Sequence, residues 1–177
     1  MAFILPVQGI SPTFGKGNKV APNATITGKV VTGMNCSFWF NCVIRGDVNT
    51  IQLGDFVNVQ DGAIIHGTYQ KYATVIGNNV SIGHGALVHG CTIHDNVLIG
   101  MGAIVMDGAE IGSNTIIAAG AVVLEHTKIE GGVVYGGLPA RKLKDISIEH
   151  IEGEIKRIAG NYNMYASWYE DNFEEWG

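Results

Sequence analysis

An apolar residue returns every six positions along most of this chain, and that period leaves few folds open. From Val20 the register runs through Ile26, Thr32, Phe38 and Ile44, shifts by three residues, and resumes at Leu53, Val59 and Ile65. It returns at Ile76, Ile82 and Val88, slips by one, and continues from Ile93 through Ile99, Val105, Ile111, Ile117, Val123 and Ile129 to Tyr135. Four residues after most of these plugs stands a small or β-branched residue, such as Ala24, Cys42, Ala63, Ala86 or Ala121. Three residues after most of them stands Asn, Asp or Gly, the types that tolerate a left-handed backbone at a corner. An inward plug and a corner every six residues is the pattern of a parallel β-helix, an all-β solenoid with three short strands to each coil. At about 4.8 Å per coil the register predicts roughly six to seven coils, a prism about 30 Å long. Neighbouring coils bury each other's apolar edges.

Two breaks in the period, at Thr50–Gln52 and Thr68–Thr74, read as loops on a corner. After Gly136–Lys142 the period changes. Ile148, Ile151, Ile155, Ile158, Tyr162, Tyr165 and Tyr169 recur at three and four residues. This predicts one amphipathic helix over 145–169, capped by Asp145 or Ser147, with Glu149 and Glu152 in its first turn. It should lie against a β-helix formed by residues 10–140, the whole of 1–177 making a single domain. The aromatic and acidic tail Trp168–Trp176 reads as a solvated end or a subunit contact. The 25 glycines against 4 prolines fit the repeated tight turns.

A formal charge of −5 without a basic stripe argues against nucleic acid as a partner and leaves a small molecule. No run is long enough for a membrane span, and the short Phe3–Val7 patch lacks the basic flank of a signal peptide, so a cytoplasmic location is expected. Cys36, Cys42 and Cys91 form neither a CxxC pair nor an even framework. They read as reduced, buried small side chains.

In this register the residue after each plug points outward, and it is small at Gly83, Gly100, Gly112 and Ala118. The middle of the chain instead carries Arg45, Gln60, His66 and His89 there, with His84 one position further along. His66 and His84 stand eighteen residues apart, one nominal coil, which places them on the same face of adjacent coils. A corner separates His84 from His89. A symmetric trimer that packs prism faces together is therefore a route to gathering the three histidines, from two subunits, around one point. Three neutral imidazoles with an open fourth position are the ligand set of a catalytic zinc, Zn2+, or of Fe2+ or Co2+. His94, His126 and His150 read as surface or corner residues.

The hexapeptide pattern resembles that of the bacterial transferase-hexapeptide superfamily, which implies a left-handed parallel β-helix, opposite to the usual right-handed crossover. Within it, R-G-D-V at Arg45–Val48, N-V-Q-D at Asn58–Asp61, His66, and H-G-A-L-V-H at His84–His89 are similar to the γ-class carbonic anhydrases. This resemblance spans about residues 10–145. It implies a homotrimer with three interface metal sites, each held by His66 and His89 of one subunit and His84 of its neighbour. It also implies an interface salt bridge between Arg45 and Asp47, with Asn58, Gln60 and Asp61 around the metal-bound water. The implied activity is reversible hydration of CO2 to bicarbonate. The metal would lower the pKa of its water, Gln60 would orient the resulting hydroxide, and Asn58 would polarise the substrate. Two departures concern proton export: Thr68–Thr74 holds no carboxylate, and Val48 stands where the archaeal members have a glutamate. Buffer, or water ordered by Tyr69, is left to take the proton. On the same fold, an acyl-CoA-dependent acetyltransferase would need one histidine as general base, and a catalytically silent metal-binding trimer is a third reading. The G-L-P-A-R-K segment is common to both enzyme groups. The three histidines with Arg45, Asp47 and Gln60 favour metal.

Overall fold

The computed structural model describes residues 1–169 and 172–177; Glu170 and Asp171 of the tail lie outside the described residues. The chain is a left-handed β-helix of about seven turns followed by one C-terminal helix. Its strands stack in parallel into three walls. The first wall runs from Phe3–Leu5 through Thr25–Thr32, Val43–Leu53, Ile64–His66, Leu87–His89 and Ile104–Val105 to Val122–Val123. The second continues from the far halves of the two long strands through Thr74–Ile76, Thr92–Ile93 and Glu110–Ile111 to Lys128–Ile129. The third stacks Asn18–Val20, Ser37–Phe38, Asn58–Val59, Ser81–Ile82, Val97–Ile99, Thr115–Ile117 and Val133–Gly137.

The six-residue period maps directly onto the core. Every plug from Val20 to Ile129 is buried, and Tyr135 is half-buried. Asn35, Asn41, Asn79, Asn96, Asn114, Gly62, Gly85, Gly102, Gly108 and Gly120 take the left-handed backbone expected at corners. Asp47 stands in the same sequence position but lies within the extended strand Val43–Leu53, so it is not a corner residue.

Four expectations need correction. Gly28 pairs with Gly46 and Val30 with Ile51, so one residue on the earlier strand faces four, 47–50, on the later. The three extra residues therefore sit at 47–50, and Ile51 and Gln52 are regular ladder. Second, the step from Ile65 to Ile76 takes eleven residues instead of six because of the excursion after His66. That coil is consequently longer than eighteen residues, and His66 pairs with His89, not with His84. Third, Asp145 ends a hairpin strand, Ala140–Asp145. Ser147 is the helix cap, accepting from the His150 amide at 3.4 Å. The helix covers 148–167, with Ile151–Lys156 in the wider π form. Fourth, the tail is more than a solvated end. Phe173 is buried, and Glu174–Trp176 pairs antiparallel with Asn18–Val20, covering the open edge of the third wall.

The three walls have different fates. The helix covers the third, pinned by a cluster of Ala21, Trp39, Ala166 and Phe173. The second turns out a mixed column, Val31, Gln52, Val75, Thr92, Glu110 and Lys128, uniformly polar and charged only in its later coils. The first turns out a continuous apolar column, Val43, Ile64, Leu87, Ile104 and Val122, in which Ile64 is 43% exposed. No helix among the described residues is long and apolar enough to cross a membrane.

Candidate metal centre

His66 and His89 each follow a buried plug, Ile65 and Val88, and strand alternation therefore turns both rings out of the first wall. Ladder pairing sets them side by side, with His66 Nδ1 3.0 Å from His89 Nε2. The remaining nitrogen of each ring faces a carboxylate. His66 Nε2 lies 3.0 Å from Asp47 Oδ1, and His89 Nδ1 lies 2.5 Å from Asp107 Oδ1. Asp47 also accepts from Arg45 Nη1, and Asp107 from the Thr68 hydroxyl. Partial burial pushes both carboxyls up, but these hydrogen bonds outweigh it. Asp47, held by His66 and Arg45, and Asp107, held by Thr68 and His89, both stay below the ordinary carboxylate value.

A second group stands at the corner between the third wall and the first. His84 Nδ1 lies 2.8 Å from Asp61 Oδ2, and its Nε2 is 3.2 Å from the Tyr162 hydroxyl of the helix. Burial, the Asp61 carboxylate and Tyr165 push the Tyr162 phenol up to about 12, so it stays protonated at neutral pH. Gln60, 4% exposed, donates Nε2 to Asn58 Oδ1 at 2.9 Å, and Asn58 donates Nδ2 to Ser81 Oγ at 2.7 Å. Gln60, His84 and Tyr162 border a cavity of about 450 Å³ between the third wall and the helix, floored by Leu98, Ile99 and Ile116.

The expected site residues thus fall into two half-sites on different faces. Among the described residues, no three His, Cys, Asp or Glu side chains of one chain converge as a metal cage. Within one chain Arg45 Nη1 also reaches Asp47 Oδ2. Tyr69 is 66% exposed and takes a hydrogen bond from Gln70, with none to either histidine of the pair. His94 faces Glu110, His126 faces Tyr72 and His150 faces Ser147, each outside the two groups. Sequence reading passed over Asp107, Thr68 and the contact from Tyr162. Asp107 had a signal, since it follows His89 by eighteen residues, one regular coil. Thr68 had none, because its position depends on the path of the excursion.

The donor set fits a borderline divalent metal. Two metal–nitrogen bonds of 2.0–2.1 Å at a tetrahedral angle put the nitrogens about 3.3 Å apart. The 3.0 Å between His66 and His89 is within a few tenths of that. A carboxylate behind each ligating imidazole is the usual supporting arrangement.

Residues 90–125 match the family described as bacterial transferase hexapeptide (six repeats). The fold is similar to a solved hexapeptide transferase family protein from Anaplasma phagocytophilum, with a TM-score of 0.89 and 35% identity, covering 94% of this chain and 98% of that one. Fold and repeat together define a left-handed β-helix protein of the hexapeptide class. Within that class, the chain is 39% identical over 167 residues to a carbonic anhydrase of Geobacillus kaustophilus, covering 94% of this chain and 91% of the relative. It is 42% identical over 161 residues to gamma carbonic anhydrase 1, mitochondrial, of Arabidopsis thaliana, covering 88% of this chain and 58% of that longer protein. The chain belongs to the γ-class carbonic anhydrase family.

Proposed function

We propose that this chain forms a metal-dependent homotrimer that interconverts CO2 and bicarbonate. The observation that carries the reading is the histidine pair, His66 and His89, with a carboxylate behind each ring. It lies on a wall whose apolar column nothing in the described chain covers. An exposed apolar sheet face of this kind marks a protein contact, and a second copy supplies what the pair lacks. The third histidine and its polar neighbours, Asp61, Gln60 and Asn58, stand on a different corner of the same chain. Packing the first wall of one subunit against that corner of the next would complete the site three times over in a closed ring.

The residues have separable tasks. Asp47, Asp107 and Asp61 accept the N–H of His66 Nε2, His89 Nδ1 and His84 Nδ1, which leaves His66 Nδ1 and His89 Nε2 as lone-pair donors toward Zn2+, Fe2+ or Co2+, while His84 Nε2 would exchange its hydrogen bond from the Tyr162 hydroxyl for the metal. A bound divalent metal supplies the positive charge that makes a water nucleophilic near neutral pH. Gln60 donates Nε2 to Asn58, and its Oε1 would accept a hydrogen bond from a water held beside His84 and so orient it toward CO2. Asn58 is buried and committed to Ser81 and Gln60; its part is to hold Gln60, in place of the substrate contact that the resemblance implied. The excursion after His66 holds no carboxylate, and the exposed Tyr69 bonds Gln70 and neither histidine of the pair, so the proton leaves to buffer.

Metal per chain in anaerobically purified protein, followed by CO2 hydration across buffer concentrations, tests this. One metal per chain, a rate that rises with buffer, and loss of both metal and rate in His84→Ala are expected. Wild-type protein without metal would overturn the reading.

A further inference from the structure

We propose that Asp107, clamped by Thr68, is a positioning residue: it fixes which nitrogen of His89 faces the metal and thereby sets how tightly the metal is held. The inference rests on the metal reading above. Asp107 comes from the coil beyond His89 and reaches back across the wall, so that Oδ1 takes His89 Nδ1. A ring whose Nδ1–H is committed in this way presents the lone pair of Nε2, the nitrogen that faces His66.

The carboxylate is itself aimed. Its other oxygen accepts the Thr68 hydroxyl. Thr68 is fixed by a reciprocal backbone pair with Tyr72, at 2.9 and 3.2 Å, and its carbonyl accepts from Asn49 Nδ2 at 3.1 Å. Asn49 lies in the three-residue insertion that also carries Asp47. Both irregularities of the hexapeptide pattern therefore deliver side chains to the back of the histidine pair: Asp47 and Asn49 from the first, Thr68 from the second.

Gly90 keeps the passage open. At φ +54 a Cβ there would stand 2.3 Å from Asp107 Oδ1 and 2.8 Å from Tyr72 Cβ. Any side chain at this position would drive the carboxylate off His89 or the excursion off the wall. A carboxylate present only to tether the excursion would need the Thr68 bond alone; contact with the ligand ring gives it a second task.

The test is cobalt binding by chelator competition, with the visible spectrum of the bound Co2+ and the melting midpoint of metal-free protein recorded beside it. Asp107→Asn removes the negative acceptor at constant size. It is expected to weaken Co2+ about 10–100-fold and alter the spectrum, while the metal-free midpoint moves little. Thr68→Val, close to isosteric, removes only the clamp and is expected to weaken Co2+ severalfold, and it serves alone if Asp107→Asn does not fold. Wild-type affinity and spectrum in these variants would overturn the inference and leave the metal reading intact. A wild-type protein that binds no Co2+ would overturn both.

Discussion

Replacing Trp39 by alanine should loosen the C-terminal helix while leaving the prism folded. Trp39 is buried and meets four aromatic rings edge-on: Tyr162 at 5.1 Å, Phe173 at 5.3 Å, Tyr169 at 6.0 Å and Phe40 at 6.4 Å. Three of those rings belong to the helix or the tail. Truncating a buried Trp to Ala costs roughly 3–5 kcal/mol, and pair terms of about 0.5–1.5 kcal/mol for each ring contact are of the same order. The coils bury their plugs against one another and depend only on their neighbours, so the loss falls on helix docking. In hydrogen exchange, a reduction of 3–5 kcal/mol in opening free energy speeds exchange by roughly two to three and a half orders of magnitude. That acceleration is expected in peptides covering 157–167 and not in those covering the three walls. Tyr162 would leave His84 in the same event, so CO2 hydration should change with it. Exchange that accelerates less than tenfold in the helix, or equally in helix and walls, would refute the reasoning.

Other outcomes follow from the same geometry. Gln60→Ala should lower kcat by about 10–100-fold with little change in KM, and Asn58→Ala should reproduce part of that loss, as read by stopped-flow hydration. Ile64→Asp puts a charge into the apolar column of the first wall; sedimentation should then report monomer, and bound metal should disappear with the trimer. Burial pushes the Cys36 and Cys91 thiols up to about 12 and Cys42 up as well, so none should react with a thiol reagent at pH 8 until denaturant is added. The unfolded chain ionises these thiols from its ordinary value of 9.0 upward while the folded chain keeps them neutral. Stability is therefore full below pH 9 and falls as pH rises, by about 1.4 kcal/mol per thiol at pH 10. A stability curve flat from pH 8 to 10.5 would contradict this.

Much of the fold was legible because a solenoid repeats one decision. The plug period named the buried residues from Val20 to Ile129, and the Asn and Gly positions named most of the corners. What the period could not carry were the places where it broke. Counting eighteen residues put His66 beside His84, yet the longer step between Ile65 and Ile76 moved the true neighbour to His89. The same irregularity hid Thr68, whose role depends on the path of the excursion. Asp107 lay within reach of the count, one regular coil beyond His89, but an aspartate near a turn has many ordinary explanations. Tyr162 was read only as one member of a helical stripe, because the angle at which the helix crosses the prism is not written in its period. The tail strand Glu174–Trp176 was missed for a related reason: pairing across the full length of the chain leaves no local pattern.

The claim that each metal site is built from two subunits is tested most directly by complementation. His84→Ala leaves the His66–His89 half-site intact, and His66→Ala leaves the His84 half-site intact. Each variant alone should be free of metal and inactive. Refolded together in equal amounts, random trimers place an intact pair beside an intact His84 at about one interface in four. Metal content and CO2 hydration should then recover to about a quarter of the wild-type value. No recovery from mixed trimers shown to have formed would contradict the account.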